Sequence, residues 1–521
     1  MSKRIVILIG IVAALVMLVG YGTAFAAGER SRTVNIGISE RARSMDPHMA
    51  HEQGTELPIR LFYETLLWSQ HDGTPYTPAL AESWEMSEDG MYWTFYLRQG
   101  VQWHNGDPFN ADDVVATFQR MIDRRGELSY VQTQLAQLES VEKIDEFTAR
   151  IHFNQPYPLA GNAFRGSYII PAKAYAEHGD DLFHNQLCYG TGPWILVEWV
   201  DGQYTHVRKN PNYWGKDFYD PYFEELYLRL VPEPATAIAA HLAGDLDAYV
   251  PGGGINADLI PLYAGSEDRI EIVVQPTNYN LYLQMTSGPG QAFEDIDVRR
   301  AFTLAIDRQL IVDAIYQGFG SVPVGIWHPA VISHDPNIEP YVYDPDLARQ
   351  ILANSTYDGR TIEILTYPNM PKAEEACLAL AGMANEVGFN MTVNVSENAV
   401  FQERRRTGDY DVFAGHVPFP DGLPARLINT NIYTDVYSSN LNNAELNDLS
   451  RRFLTELDPD RRRQLGQEIN RFMVDIVAPH IVFAHIDALN ARNYGIVGIR
   501  FNADGFHNFA WVDWDPNDGP K

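Results

Sequence analysis

Between residues 80 and 122 the hydrophobic positions change period twice. Trp84 and Met86 alternate with polar neighbours, as on a half-buried strand, and Asp89-Gly90 supplies the positive-φ residues of a tight hairpin turn. In the next run, Trp93, Phe95 and Leu97 point one way, and Tyr92, Thr94 and Tyr96 point the other. Asn105-Gly106 marks a second turn. Asn110 is placed to cap a helix whose first turn carries Asp112 and Asp113, where the macrodipole favours negative charge. Val114, Val115, Phe118, Met121 and Ile122 then form one apolar helical face. The block reads as hairpin, turn and helix, with no catalytic chemistry in it.

The same patterning predicts a first strand over 34–38, a turn at Asp46-Pro47-His48 and a helix over 56–68. A β-rich stretch comes next, with strands over 148–153, 194–200, 204–208 and 225–231, then a helix over 234–242. From about residue 293 the texture changes. Helical runs over 297–316, 344–352, 373–387 and 459–477 alternate with short strands over 361–365, 391–395 and 411–414, and a last strand covers 481–484. Strands alternating with helices predict an α/β lobe with a mainly parallel, doubly wound sheet. There are no tandem repeats and no low-complexity linkers. At 521 residues the chain exceeds a single core, so two or more domains are expected.

The N-terminus stands apart from that core. Lys3 and Arg4 precede an apolar run over 5–19, and Ala24-Phe25-Ala26 supplies an A-x-A cleavage site, so residues 1–26 read as a secretory signal peptide. The competing reading, an uncleaved anchor, suffers from a run short for a membrane span. No cysteine lies near the cleavage site, so a lipid-modified cysteine is not expected and the mature chain is expected in a periplasm. A formal net charge of -29 repels nucleic acid and anionic lipid. The scarcity of lysine fits a saline habitat and ordinary solubility equally. Only Cys188 and Cys377 occur, without a C-x-x-C pair, which excludes a cysteine zinc site; they are expected as two separate buried thiols.

Catalytic signatures are missing. The chain has no G-x-S-x-G, H-E-x-x-H or Walker A run, and Gly318-Phe319-Gly320 continues to Pro323 where a dinucleotide loop needs its third glycine. His48 and His51 form H-x-x-H beside Asp46, but the segment reads as a turn; His480 and His485 fall on opposite faces of one strand. Glu294, Asp295 and Asp297 read as a solvated helix start. No catalytic residue, metal site or cofactor is expected. The alternative function, a cleft-containing secreted hydrolase such as a glycosidase, requires two facing carboxylates that no motif provides.

The run LAESWEMSEDGMYWTFYLRQGVQWHNGDPFNADDVV, residues 80–115, resembles the signature of ABC-transporter extracytoplasmic solute-binding proteins of family 5, the dipeptide, oligopeptide and nickel-binding type, with Asn105 where Asp is commoner. Tyr189 to Trp194 is similar to the family's GTGPY segment, and Asn210 to Trp214 to its NPxYW segment. Asp297 to Ala301 and Ala305 to Arg308 resemble VRxAxxxAIDR. The resemblance implies an α/β two-lobed periplasmic-binding-protein fold, hinged by crossing strands near 275–283 and 481–489. Lobe I would take 27–280, including an inserted β-rich subdomain, lobe II 281–485, and 486–521 would return to lobe I. It implies a small-molecule solute, an ABC permease pair in the inner membrane as partner, and a monomer.

Peptide binders of the family carry a GWxxD segment, whose Asp pairs with the peptide ammonium. Here Gly415 is followed by His416 in the Trp position and Phe419 in the Asp position, with Asp421 two residues beyond. The arginine that dipeptide binders place after the strand over 361–365 is replaced by Thr366, Tyr367 and Pro368. Peptide, oligosaccharide, opine and nickel complex therefore stay open as solutes. Tyr279, Tyr282, Trp327, Phe419 and Trp511 are available as sugar platforms, although core packing is the commoner role of any one aromatic. The expected ligand shell is Ser44, His48, Tyr279, Asn280, Trp327, His416, Phe419 and Asp421.

Overall fold

Two long antiparallel strands, Ile270–Met285 and His480–Asn493, run through the middle of an 11-stranded sheet in the computed structural model of the chain. The structure describes residues 31–49, 53–68, 76–128, 135–164, 166–184, 187–329, 333–368, 372–417, 443–476, 480–501 and 507–519. The two strands pair from Ile270↔Asn493 to Gln284↔His480, with register breaks between Pro276 and Tyr279 and between Leu281 and Tyr282. The first break falls where Pro276 has no N–H to give the ladder.

On one side Val412–Val417 pairs with the 280–285 stretch, and Ile362–Thr366 and Met391–Val395 continue the sheet in parallel. The helices Ala373–Glu386 and Asn398–Thr407 connect these strands, as the alternating pattern predicts. On the other side Ala248–Tyr249 pairs with 491–492 and leads to Thr33–Ile38, Glu225–Leu230, Tyr204–Lys209 and Trp194–Val200. Each half buries its own apolar layer, one around Phe302, Ile364, Leu380 and Phe483, the other around Val34, Ile36, Phe62, Trp194 and Leu226. Cys188 and Cys377 are free and buried in separate layers.

The hairpin block forms a separate four-stranded sheet in the order Ala81–Met86, Tyr92–Leu97, Thr148–Phe153, Leu138–Asp145. Gly90 takes φ 70 in the turn. Trp93, Phe95 and Leu97 are buried as the alternation predicts. Thr94, expected on the outer face, is buried too, because Arg150 lies over it and donates to its hydroxyl at 3.1 Å. The helix Ala111–Asp123 begins with a capping box: Asn110 Oδ1 accepts from Asp112 N–H, and Asp113 Oδ2 accepts from Asn110 N–H. The Trp103 indole donates to the same carboxylate at 3.1 Å and Ala172 N–H at 2.7 Å. The signature run is thus a fastening device.

Two expected helices are corrected. The helical run over 297–316 breaks into Ile296–Ala305, a short turn Arg308–Leu310 and a π turn Ile311–Ile315. Asp307 caps the second piece, and the buried Arg308 guanidinium donates to Thr303 O while lying over the rings of Tyr341 and Phe483 at 4.6 and 4.9 Å. The helix expected over 56–68 ends at Phe62, and Leu67–Trp68 becomes a strand.

The turn between Phe62 and that strand explains two more motifs. Glu64 is buried and accepts from Thr191 Oγ1 at 2.8 Å, Trp214 Nε1 at 2.8 Å and Tyr213 OH at 3.0 Å. Burial pushes its pKa up despite these donors. Gly190 lies against the helix end, where a Cβ would come within 1.6 Å of the Phe62 carbonyl oxygen. Glu64→Ala would leave three buried donors unmatched and is expected to cost on the order of 3 kcal/mol or more. Glu64→Gln keeps an acceptor for Thr191 and Trp214 and should cost less than half as much. Urea denaturation of the two variants checks the difference; equal losses would show that packing, not the acceptor, matters.

Candidate ligand cleft

The loop after Thr33–Ile38 carries Ser44 and His48. Ser44 Oγ accepts from Asp46 N–H at 3.0 Å, and Asp46 Oδ1 accepts from His48 N–H at 3.0 Å. His48 is buried with both ring nitrogens engaged: Nε2 meets Tyr168 O at 2.9 Å and Nδ1 meets Arg120 at 2.7 Å. Arg120 also holds Asp46 through two bonds of 2.6 and 3.1 Å and Asp180 at 2.9 Å. His48 therefore pins the loop, a different role from the ligand contact expected of it.

Trp327 differs from expectation in the same way. Its indole is fully buried, donates to Gly466 O at 3.3 Å and packs with Tyr282, Leu465 and Ile469. It joins the helix Pro459–Asp475 to the sheet. Asn280 sits on the crossing strands, paired in register with Val417 on one side and His485 on the other. Tyr279 and His416 lie on the same two strands, Ile270–Met285 and Val412–Val417, and only their main chains are described. Phe419 and Asp421 lie outside the described residues. The structure thus gathers Tyr279, Asn280 and His416 at the crossing and places Ser44 and His48 on the loop of a strand in the other half.

His485 was missed, since only its spacing from His480 drew attention. Its Nδ1 meets Asn280 Oδ1, and the ring of His328 stands edge-on to it at 4.6 Å. Burial, helped by the neighbouring His328 and His334, pulls the His485 pKa down to about 3; burial brings His328 down to about 4. Both rings are neutral at physiological pH. Among the described residues no three His, Cys, Asp or Glu side chains converge to hold a metal ion.

The halves approach each other at their strand ends. Glu40, at the end of the first strand, is close enough to Tyr367, at the end of Ile362–Thr366, to raise its pKa alongside the larger effect of burial. Strand-end loops from both halves thus face each other, the usual place for a ligand in an α/β sheet. The apolar layer of the hairpin subdomain runs without a break into Leu446, Phe453 and Leu465. A Cβ on Gly90 would meet Leu457 Cδ2 at 2.7 Å. Farther along, Asp258 accepts from both Lys372 Nζ and Gln317 Nε2. No sequence pattern singles out these three residues.

Two α/β halves, joined by a crossing strand pair and meeting at strand-end loops, define a two-lobed periplasmic-binding-protein fold. The chain belongs to the family of bacterial extracellular solute-binding proteins, family 5, whose middle region matches residues 75–431. It is 27% identical over 487 residues to heme-binding protein A of Haemophilus influenzae, with 86% of each chain covered. It is 26% identical over 482 residues to the dipeptide-binding protein of Pseudomonas aeruginosa, covering 86% of this chain and 89% of that one. The periplasmic binding protein DppA of Helicobacter pylori, solved in complex with the peptide STSA, matches the fold with a TM-score of 0.78 at 20% identity, over 92% of this chain and 98% of that one. Such proteins bind a solute between their lobes and deliver it to an ABC importer. Among the described residues no helix is long and apolar enough to cross a membrane.

Gln317 and Lys372 are the only described non-glycine residues with positive φ, at 54° and 57°. That backbone costs on the order of 1 kcal/mol each, and both side chains reach Asp258. With about half of the Asp258 side chain in solvent, the contact contributes at most about 1 kcal/mol. Lys372→Gly relieves the backbone and deletes the cation. It should leave thermal stability equal or higher while shifting the ligand-free population toward open by up to about fivefold. Spin-label distances between the lobes measure this; an unchanged distance distribution would show that the contact does not hold the lobes together.

Proposed function

We propose that this protein is an exported, monomeric receptor for a peptide-type solute, passed to an inner-membrane permease pair, with residues 1–26 as a cleavable signal peptide. The lobes would divide near residues 280 and 485, on the crossing strands. The observation that carries this reading is the approach of strand-end loops from the two halves, Glu40 on one and Tyr367 on the other, beside the crossing strands that join the halves. Closure over that point would let one solute contact both lobes, and those contacts would offset the cost of closing.

A peptide is favoured over a sugar because three of the five aromatics available as platforms are committed elsewhere. Tyr282 and Trp327 are buried, and Trp511 packs edge-on to Trp68 beneath Arg500. The dipeptide-binding relative at 26% identity adds to this. The heme-binding relative is as similar, so its solute belongs among the probes. No catalytic step is proposed.

A thermal-shift screen over peptides, oligosaccharides, opines, heme and nickel identifies the solute; one held at 100 times its Kd stabilises the fold by about 2.7 kcal/mol. Product released beyond one equivalent of protein would favour the hydrolase reading instead. For a peptide, Asp421 is the carboxylate placed to meet the ammonium. Asp421→Asn should then weaken binding by about a hundredfold, whereas Phe419→Ala should hurt a sugar more. Calorimetry decides. Changes within about threefold for both variants would place the 418–421 stretch outside the site.

A further inference from the structure

The crossing strands carry a buried polar pair beside Tyr282. Asn280 and His485 oppose each other in the ladder, 1% and 2% exposed, on the face that holds Tyr282. They bond to each other through Asn280 Oδ1 and His485 Nδ1. Asn280 Nδ2 and His485 Nε2 are left with no partner. Each buried polar atom left unmatched costs about 1–3 kcal/mol, and native structures rarely keep two such atoms side by side without a use for them.

The pair has a fixed pattern. A neutral imidazole that donates from Nδ1 to the amide oxygen leaves Nε2 as an acceptor beside the Nδ2 donor. Turning the amide over makes Nδ1 the acceptor, Nε2 the donor and the amide oxygen the free acceptor. Either way the pair presents one donor and one acceptor. Burial and the adjoining His328 keep the ring neutral, so the pattern holds at physiological pH. Asp487, the next residue on this strand face, is about 7 Å along the strand.

We propose that the free polar atoms of Asn280 and His485 seat an uncharged group of the solute that both donates and accepts a hydrogen bond, a peptide amide or a sugar hydroxyl. This deepens the receptor reading above and rests on it. An ammonium has no acceptor to give the amide N–H, and a carboxylate would set its charge against the imidazole lone pair. The pair lies on the two strands that cross between the lobes, with Val417 paired to Asn280 and Ser321 to His485. Its two residues are 1% and 2% exposed beside His328, so a solute group reaches them only when the structure around them opens.

Titration calorimetry with tri-alanine, for the amide, and maltotriose, for the hydroxyl, tests the pair in the wild type, Asn280→Asp and His485→Phe. Asn280→Asp keeps an acceptor for His485 and replaces the free donor with a carboxylate oxygen. His485→Phe keeps a ring against His328 and removes both nitrogens. Whichever probe binds the wild type should bind both variants at least about tenfold more weakly, at melting temperatures within a few degrees. Affinities within about threefold in either folded variant would overturn the proposal. Binding of neither probe to the wild type would instead count against the receptor reading. Imidazole 15N spectra of the ligand-free protein then judge the pair by itself: a neutral His485 at pH 6 supports it, and a protonated one overturns it.

Discussion

The backbone ladder between Ile270–Met285 and His480–Asn493 is the interaction on which the rest depends. It joins residues 205 positions apart at its centre, so it closes a long loop, at an entropic cost that grows only slowly with length. The halves on either side take their places in one sheet by pairing with these strands. Interrupting the ladder would leave the halves joined by the apolar layer that the hairpin subdomain shares with Leu446, Phe453 and Leu465. The register breaks at Pro276 and Leu281 are what such a joint needs, because a strand pair without slack could not let its two sides turn against each other.

Within each half, distant segments are tied by buried charges. Glu64 gathers Thr191, Tyr213 and Trp214; Arg120 gathers Asp46, His48 and Asp180; Asp113 gathers Asn110, Trp103 and Ala172. Replacing such groups with apolar ones of the same shape could leave stability unchanged, whereas removing one partner strands the others. Their value here lies in register. Each carboxylate accepts from several loops at once, so only one arrangement of those loops satisfies it. That is why the residues around 80–115, 189–194 and 210–214 form recognisable runs although they perform no chemistry.

This explains what could be read from the sequence. Long periodic runs and turn pairs fixed the hairpin block, the Ala111–Asp123 helix and the βα alternation after residue 293, since each is set by local geometry. The two-lobed arrangement and the family were legible through the fastening runs. What could not be read depends on tertiary burial. Nothing local shows that Arg308 will be buried under Tyr341 and break a helix, that Arg150 will cover Thr94, or that Trp327 will face Gly466 rather than a solute. For the site, Asn280 was legible as a residue of the crossing strands. His485 was not, because the partner that gives it meaning stands on another strand and not at a helical or strand spacing in its own.

The contacts that close the lobes differ in kind from those that hold each lobe. Inside the lobes, carboxylates such as Glu64 are buried and fully matched. Between them, the hairpin subdomain shares an apolar layer with Leu446, Phe453 and Leu465, while Asp258 meets Lys372 and Gln317 at a half-exposed position, where water competes for every bond. A receptor whose empty lobes bound each other strongly would leave its solute nothing to contribute, because closure would already be complete. The Asp258 contact, half in solvent and bearing strained backbone, adds little to closure. At the Asp258 edge, closure without a solute is only lightly favoured, and there the solute has something left to supply.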